Sequence, residues 1–244
     1  MIIVNADDFG MLPEVTAAID SCINRRIVSS TTLMANMPAF EMAVELAFKN
    51  GYENRVGIHF NLTLGKPLSR SILSCPRLCD EENYFIYKRN FVLFRWSEIK
   101  AIREELSAQI ERIREVGIPI SHFDSHHHIH TEFFLFLIIC DVLKKYGIRK
   151  VRISNNMDVG KGGLRCLLKK VYKLFFNRML RVMGFKTTRF MGDYNASVDH
   201  ISAYGDCDIE LMCHPVEMNG LMMDKFKKEP LKQHVLQLQP YMNL

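Results

Sequence analysis

Short apolar runs alternate along the chain with longer stretches in which apolar residues recur every three or four positions, and polar residues gather where each run ends. The first run, residues 1–6, ends in two acids. From Pro13 onward Val15, Ala18, Ile19, Cys22 and Ile23 share one face, so the pattern predicts a strand, a loop and a helix opened by proline. The unit then repeats. Residues 30–34 predict a second strand, and a helix from about Pro38 turns Ala43, Val44, Ala47 and Phe48 inward and ends at Gly51. Residues 55–60 form the third predicted strand.

With Ser97 as N-cap, Ile99, Ile102, Leu106, Ile110 and Ile113 mark a long amphipathic helix that stops at Gly117 and Pro119. A strand at 120–124, a helix at 132–146 closed by Gly147 and a strand at 150–153 continue the alternation. After a basic helix come a strand at 187–191, a short helix at 198–204 and a strand at 209–213; residues 231–244 are expected to add a helix and a terminal strand. Strands alternating with helices predict an α/β fold with a parallel sheet and right-handed crossovers, either a barrel or a doubly wound sheet. One domain, 1–244, is expected, interrupted by a long insertion loop at about 61–95; a connection of that length is usually functional or mobile.

Composition narrows the class. With 48% hydrophobic and 24% charged residues, and no repeat or low-complexity tract, the chain reads as a globular enzyme rather than a disordered segment. The longest apolar run, 133–140, falls far short of the roughly 20 residues that span a bilayer, so no membrane partner is expected. Seven cysteines without paired spacing, and no secretory leader, predict reduced thiols in the cytoplasm. The formal charge of +5 arises mainly in the middle, from Lys161, Arg165, Lys169, Lys170, Lys173, Arg178, Arg181, Lys186 and Arg189. Because Leu164, Leu167, Leu168, Val171, Leu174, Phe175 and Leu180 recur at helical spacing, these cations read as the solvated face of a helix, in preference to a nucleic-acid patch.

Barrels and doubly wound sheets both carry their active sites at the carboxyl ends of the strands. There the polar residues collect: Asn5-Ala6-Asp7-Asp8, His59 with Asn61, Asp124 with a histidine run, Arg152, and His214. Residues 121–130 hold five of the nine histidines and an acid, broken by Phe123, Ser125 and Ile129, unlike an expression tag. Adjacent side chains at a strand end point in different directions, so one of Asp7 and Asp8 can hold a metal while the other faces substrate or water. A carboxylate and two imidazoles bind a divalent cation and leave positions open for water and substrate, as a hydrolytic site requires. Histidine titrates at about 6.5, which suits His214 to a general acid near neutral pH.

Four motifs in order, Asn5-Ala6-Asp7-Asp8-Phe9-Gly10, Gly57-Ile58-His59-Phe60-Asn61-Leu62-Thr63, Asp124-Ser125-His126-His127-His128-Ile129-His130 and Met212-Cys213-His214-Pro215, resemble the YdjC-like carbohydrate deacetylases, which include chitooligosaccharide deacetylase. Gly65-Lys66-Pro67-Leu68 and residues 29–32 add to the likeness, which covers about residues 1–216. It implies a distorted (β/α) barrel of the glycoside hydrolase/deacetylase type and one divalent metal ion, Mg2+ or Zn2+, held by Asp8, His59 and His126. It also implies Asp7 as general base and His214 as general acid in releasing acetate from an N-acetylated sugar. Asn61, Asp124, His128 and Arg152 are then expected to meet the substrate. A homodimer is carried as the expected assembly.

Two alternatives stay open. A metal-dependent phosphoesterase would favour two ions roughly 3.5 to 4 Å apart, and a non-enzymatic sugar-binding protein would close the coordination shell of a structural metal. In the insertion loop and just beyond it, Tyr84, Phe85, Tyr87, Phe91 and Trp96 serve either to face sugar rings or to bury the loop.

Overall fold

A parallel strand covered on both faces keeps an unbroken apolar run, and the first run behaves so: β1 (Ile2–Phe9) is buried from Ile3 to Phe9. A computed structural model of the chain describes residues 1–89, 93–157, 163–231 and 237–244. After β1 follow α1 (Pro13–Asn24), β2 (Ser30–Leu33), α2 (Phe40–Lys49), β3 (Val56–Phe60), α3 (Trp96–Glu115), β4 (Phe123–Ser125) and α4 (Phe133–Lys145). Then come α5 (Leu164–Val182), β5 (Phe190–Asp193), α6 (Tyr194–Ser197), β6 (Ile209–Cys213), β7 (Pro215–Met218), β8 (Leu221–Asp224) and β9 (Glu229–Pro230). Among the described residues no helix is long and apolar enough to cross a membrane.

The main sheet has the order β4-β3-β2-β1-β6-β5, with every pair parallel. Its register brings the site together: His59 pairs with Asp124, and Ala6 pairs with Cys213, so Asp7 and His214 leave neighbouring strands at the same level. Gly57 in β3 is needed for close approach, since a Cβ there would stand 2.6 Å from the His122 ring. One continuous apolar core packs the helices against this curved sheet.

Closure of the distorted barrel is thinner than the predicted strand at 150–153 suggests. β4 is three residues long before the chain turns at His126, so it has little edge to offer. Among the described residues, pairing continues round from β4 through single parallel bridges, Phe123 with Val151 and Lys150 with Lys186. The strand expected at 187–191 sits slightly later, as β5, and residues 198–204 form a 3₁₀ turn. The antiparallel sheet β7-β8-β9 was not expected; its first turn runs through Asn219 and Gly220, both at positive φ. Of the expected helix and strand at 231–244, residues 232–236 lie outside the described residues, and the rest supplies a bridge from Leu238 to Ile2 and a 3₁₀ turn at Tyr241–Asn243.

The helix α3 begins one residue before the expected cap, with the Glu98 carboxylate accepting from the Arg95 N–H. Its buried Glu105 accepts the backbone N–H groups of Leu68 and Ser69, and Gln109 accepts from the Asn61 N–H and donates to the Asn61 carbonyl. These two polar side chains pin the start of the insertion loop. Within that loop Phe85 and Tyr87 are buried and Tyr84 is exposed, and just beyond it Trp96 stands out into solvent; Phe91 lies outside the described residues, as does Lys161.

The basic helix departs most from expectation. Of the stripe predicted to face the core, only Leu180 is buried; Leu164, Leu167, Leu168, Val171, Leu174 and Phe175 are exposed, and the helix seats itself through Phe176, Asn177 and Leu180. The helical period was right and the inward direction was wrong.

Candidate active site

The two acids that end the first apolar run diverge because Asp8 adopts a left-handed backbone, φ 71°, which non-glycine residues rarely take outside functional sites and tight turns. Gly10, at φ 83°, completes the turn; a Cβ there would meet Leu33 at 2.8 Å. Asp7 and Asp8 therefore enter different environments.

Asp8 Oδ1 lies 2.8 Å from His126 Nδ1 and 3.3 Å from His59 Nε2, and all three side chains are buried. Burial alone would raise the Asp8 pKa, but the hydrogen bonds from His126 and His59 hold it well below the usual carboxylate range. Behind His59, its Nδ1 meets Asp124 Oδ1 at 2.6 Å and Thr32 Oγ1 at 3.1 Å. Burial depresses the His59 pKa, and the Asp124 charge and hydrogen bond outweigh it, pushing the imidazole up to about 10. The two carboxylates beside His59 thus favour its protonated form whenever no cation competes for them.

The histidine run gives each ring a separate destination. His127 and His128 take consecutive left-handed conformations, φ 52° and 53°, which reverse the chain just after His126. His126 turns in to Asp8, and His127 is exposed with its Nδ1 3.0 Å from Thr63 Oγ1. His130 is buried between Ser125 Oγ and the Arg152 carbonyl. His128 lines a cavity of about 110 Å3 with Arg89, Ser154 and Lys173. A second cavity of about 600 Å3 shares Arg89, Ser154 and Lys173 and adds Arg165 and Lys169. Burial and the nearby Arg152 charge push His128 down to about 3, so it is neutral.

Asp7 faces Arg152, which grips it with Nη1 at 2.6 Å and Nη2 at 2.7 Å. The same guanidinium reaches Asp124 Oδ2 at 2.6 Å and Glu210 Oε1 at 2.6 Å. Burial raises the Asp7 pKa, yet the charge and hydrogen bonds of Arg152 dominate and keep the carboxyl strongly acidic. His214 is partly exposed, with Nε2 3.9 Å from Asp7 Oδ2; its backbone N–H donates to Asp224, and its ring stands edge-on to Phe226.

Four residues were expected at the substrate, and three of them are fully buried. Asn61 spends its amide on Thr63, Leu64 and Asn36, shaping the turn after β3. Asp124 and Arg152 are committed to His59, Thr32, Asp7 and Glu210. These three have no accessible surface, whereas His128 lines a cavity. The reading from sequence missed Glu210, Tyr241, His122 and Asp224. Tyr241 donates to Glu210 Oε2 and stacks on His122 at 3.9 Å, and His122 in turn meets Asn5 Oδ1. A lone acid inside the apolar strand Ile209–Cys213 was the available signal for Glu210.

Among the described residues two groups of donors converge closely enough to hold an ion, Asp8 with His59 and His126, and Asp7 with His59 and Asp124, each within 4.8 Å. Arg152 already supplies a cation to the second. The first combines one carboxylate and two imidazoles, a donor set that suits a divalent ion, and among the described residues its carboxylate pairs with those imidazoles alone.

A distorted (β/α) barrel bearing a buried carboxylate–imidazole cluster at the carboxyl ends of its strands is the class that fold and site define. Within it, the chain belongs to the YdjC-like protein family, which matches residues 1–237. It is similar to a carbohydrate deacetylase of Listeria monocytogenes serotype 4a, 38% identical over 164 residues, covering 65% of this chain and 63% of that protein. A carbohydrate deacetylase of Vibrio cholerae serotype O1 is 41% identical over 147 residues, covering 60% of this chain and 56% of that protein. The matched region thus spans less than two thirds of these curated relatives. A crystal structure from Enterococcus faecalis V583, assigned as a candidate cellobiose-phosphate cleavage protein, superposes with a TM-score of 0.67 at 26% identity, covering 89% of this chain and 82% of that one.

Proposed function

We propose that this chain, as one domain over residues 1–244, is a metal-dependent carbohydrate deacetylase that hydrolyses the amide of an N-acetylated sugar. The observation that carries this reading is the convergence of Asp8, His59 and His126 beside Asp7 and His214 at the carboxyl ends of strands in one parallel sheet. The names of the Listeria and Vibrio relatives support it.

Asp8, His59 and His126 would hold one divalent ion, Mg2+ or Zn2+. When bound, such an ion makes water more acidic and polarises a carbonyl. Asp7 takes the proton from the water that adds to the acetamide carbon. Arg152 fixes the direction of that carboxylate and keeps it ionised through the neutral range, at a cost in basicity, so Asp7 holds the proton only briefly. His214 gives a proton to the departing nitrogen as the carbon–nitrogen bond breaks, leaving acetate and a free amino sugar. Asp124 and Thr32 orient His59, and Asp224 fixes the backbone of His214.

The cations around the cavities beside His128 favour a sugar that carries an anionic group, in keeping with the phosphate named for the Enterococcus protein. A two-ion phosphoesterase is disfavoured, because the second donor group is filled by Arg152. Acetate release from a panel of N-acetylated sugars, with and without a phosphate, by protein loaded with Mg2+ or Zn2+ tests the reading, with Asp8→Ala as control. Absence of acetate from every sugar would overturn it.

A further inference from the structure

The exposed face of α5 has no place in the chemistry of the site. Leu164, Leu167, Val171 and Leu174 are 56% to 74% exposed, and their spacing of three and four residues aligns them as one ridge; Arg178 takes the next step along it, and Val182, 79% exposed, the step after. Phe176 and Leu180, which seat the helix, lie on the opposite side. Phe175 extends the ridge toward α4 by packing on Phe133 with ring centroids 5.8 Å apart. Soluble proteins rarely leave so many neighbouring large apolar side chains in water without a partner for them.

Charge and shape choose among the partners. The sequence of α5 carries Arg165, Lys169, Lys170, Lys173, Arg178 and Arg181 and no acid. A two-fold contact with a second copy would bring this ridge against itself and set like charges together. The ridge side chains are each more than half exposed along one face of a single helix, which suits a deformable apolar phase. An apolar ridge bordered by cations on a helix lying along the surface is the pattern of an interfacial helix, in which the apolar side enters the acyl boundary and the cations meet anionic headgroups.

We propose that α5 docks the protein on the surface of an anionic lipid bilayer, with its Leu/Val ridge inserted and Lys170 and Arg178 among the headgroups. The protein is held to one leaflet and does not span it.

The test is sedimentation of the full-length protein with vesicles of phosphatidylcholine, with or without phosphatidylglycerol. Binding is expected only with phosphatidylglycerol and should weaken as salt rises. Leu167→Ser with Leu174→Ser, and separately Lys170→Glu with Arg178→Glu, should each reduce the bound fraction about tenfold or more. Circular dichroism and acetate release from a soluble sugar should stay unchanged, because these side chains lie outside the site; Arg165, Lys169 and Lys173, which line its cavities, are left intact. Equal recovery without vesicles, or binding indifferent to both double variants, would overturn the proposal. So would a dimer by light scattering that the leucine variants abolish, which would assign the ridge to a second copy, or saturable binding of an acidic protein in place of lipid.

Discussion

Two anionic groups of side chains share His59 and start from adjacent residues of β1, and they differ in what neutralises them. Asp7, Asp124 and Glu210 surround the buried guanidinium of Arg152, whereas Asp8 meets only the rings of His59 and His126. A buried carboxylate needs a counter-charge. Where the chain provides a cation of its own, the group becomes architecture that aims Asp7; where it provides only imidazoles, a proton on His59 stands in, and a metal ion can take its place. On the function proposed above, buried carboxylates thus serve as support in one cluster and as part of a ligand set in the other.

The largest expected effect is on the open cluster. Asp8→Ala should abolish metal retention, read by elemental analysis after dialysis, and lower acetate release by at least about a thousandfold, several kcal/mol at the transition state. Asp7→Asn should lower turnover by about a hundredfold or more while metal stays bound; retained turnover would remove Asp7 from the role of base. The filled cluster should answer in stability. Arg152→Met strands three buried carboxylates and should reduce the unfolding free energy in urea by about 3–5 kcal/mol, and a variant as stable as the parent would erase the distinction drawn between the two clusters. Tyr241→Phe, removing the donor to Glu210, should cost about 1.5 kcal/mol.

The smallest effect is on pH. The metal-free protein holds His59 with its pKa raised from 6.5 to about 10. The stability this contributes is complete below about 6.5 and is lost as pH climbs through 10. Metal binding must expel the same proton, so affinity should move oppositely, rising over the same range. Calorimetric titration in buffers of different ionisation heat reads that proton directly; binding without proton release would show that His59 is not a ligand.

Much of the scaffold was legible because its signals are local. Alternating runs placed β1, β2, β3 and β6, Pro13 opened α1, and Gly51, Gly117 and Gly147 closed helices where expected. The Asn219-Gly220 hairpin was equally local, a dipeptide that favours the two positive φ values of a tight turn, and was overlooked. The strand at 150–153 could not be judged from its own residues, since pairing depends on how much edge β4 offers. Nor could the direction of α5, because a helical stripe shows that one face is apolar without showing which side the rest of the chain covers.

The sequence by itself determined an alternating α/β chain with acids, histidines and an arginine at the ends of its strands, because hydrophobic period and strand ends are written in neighbouring residues. Only the tertiary structure decided that Arg152 enters the Asp7 group and leaves Asp8 to two imidazoles, and that Tyr241 closes the network beneath them. Asp7 and Arg152 lie 145 residues apart along the chain, Glu210 and Arg152 58, and Tyr241 and Glu210 31. Which charges meet in a buried site is set by strand order and register, and a one-residue change in the pairing of β3 with β4 would part His59 from Asp124.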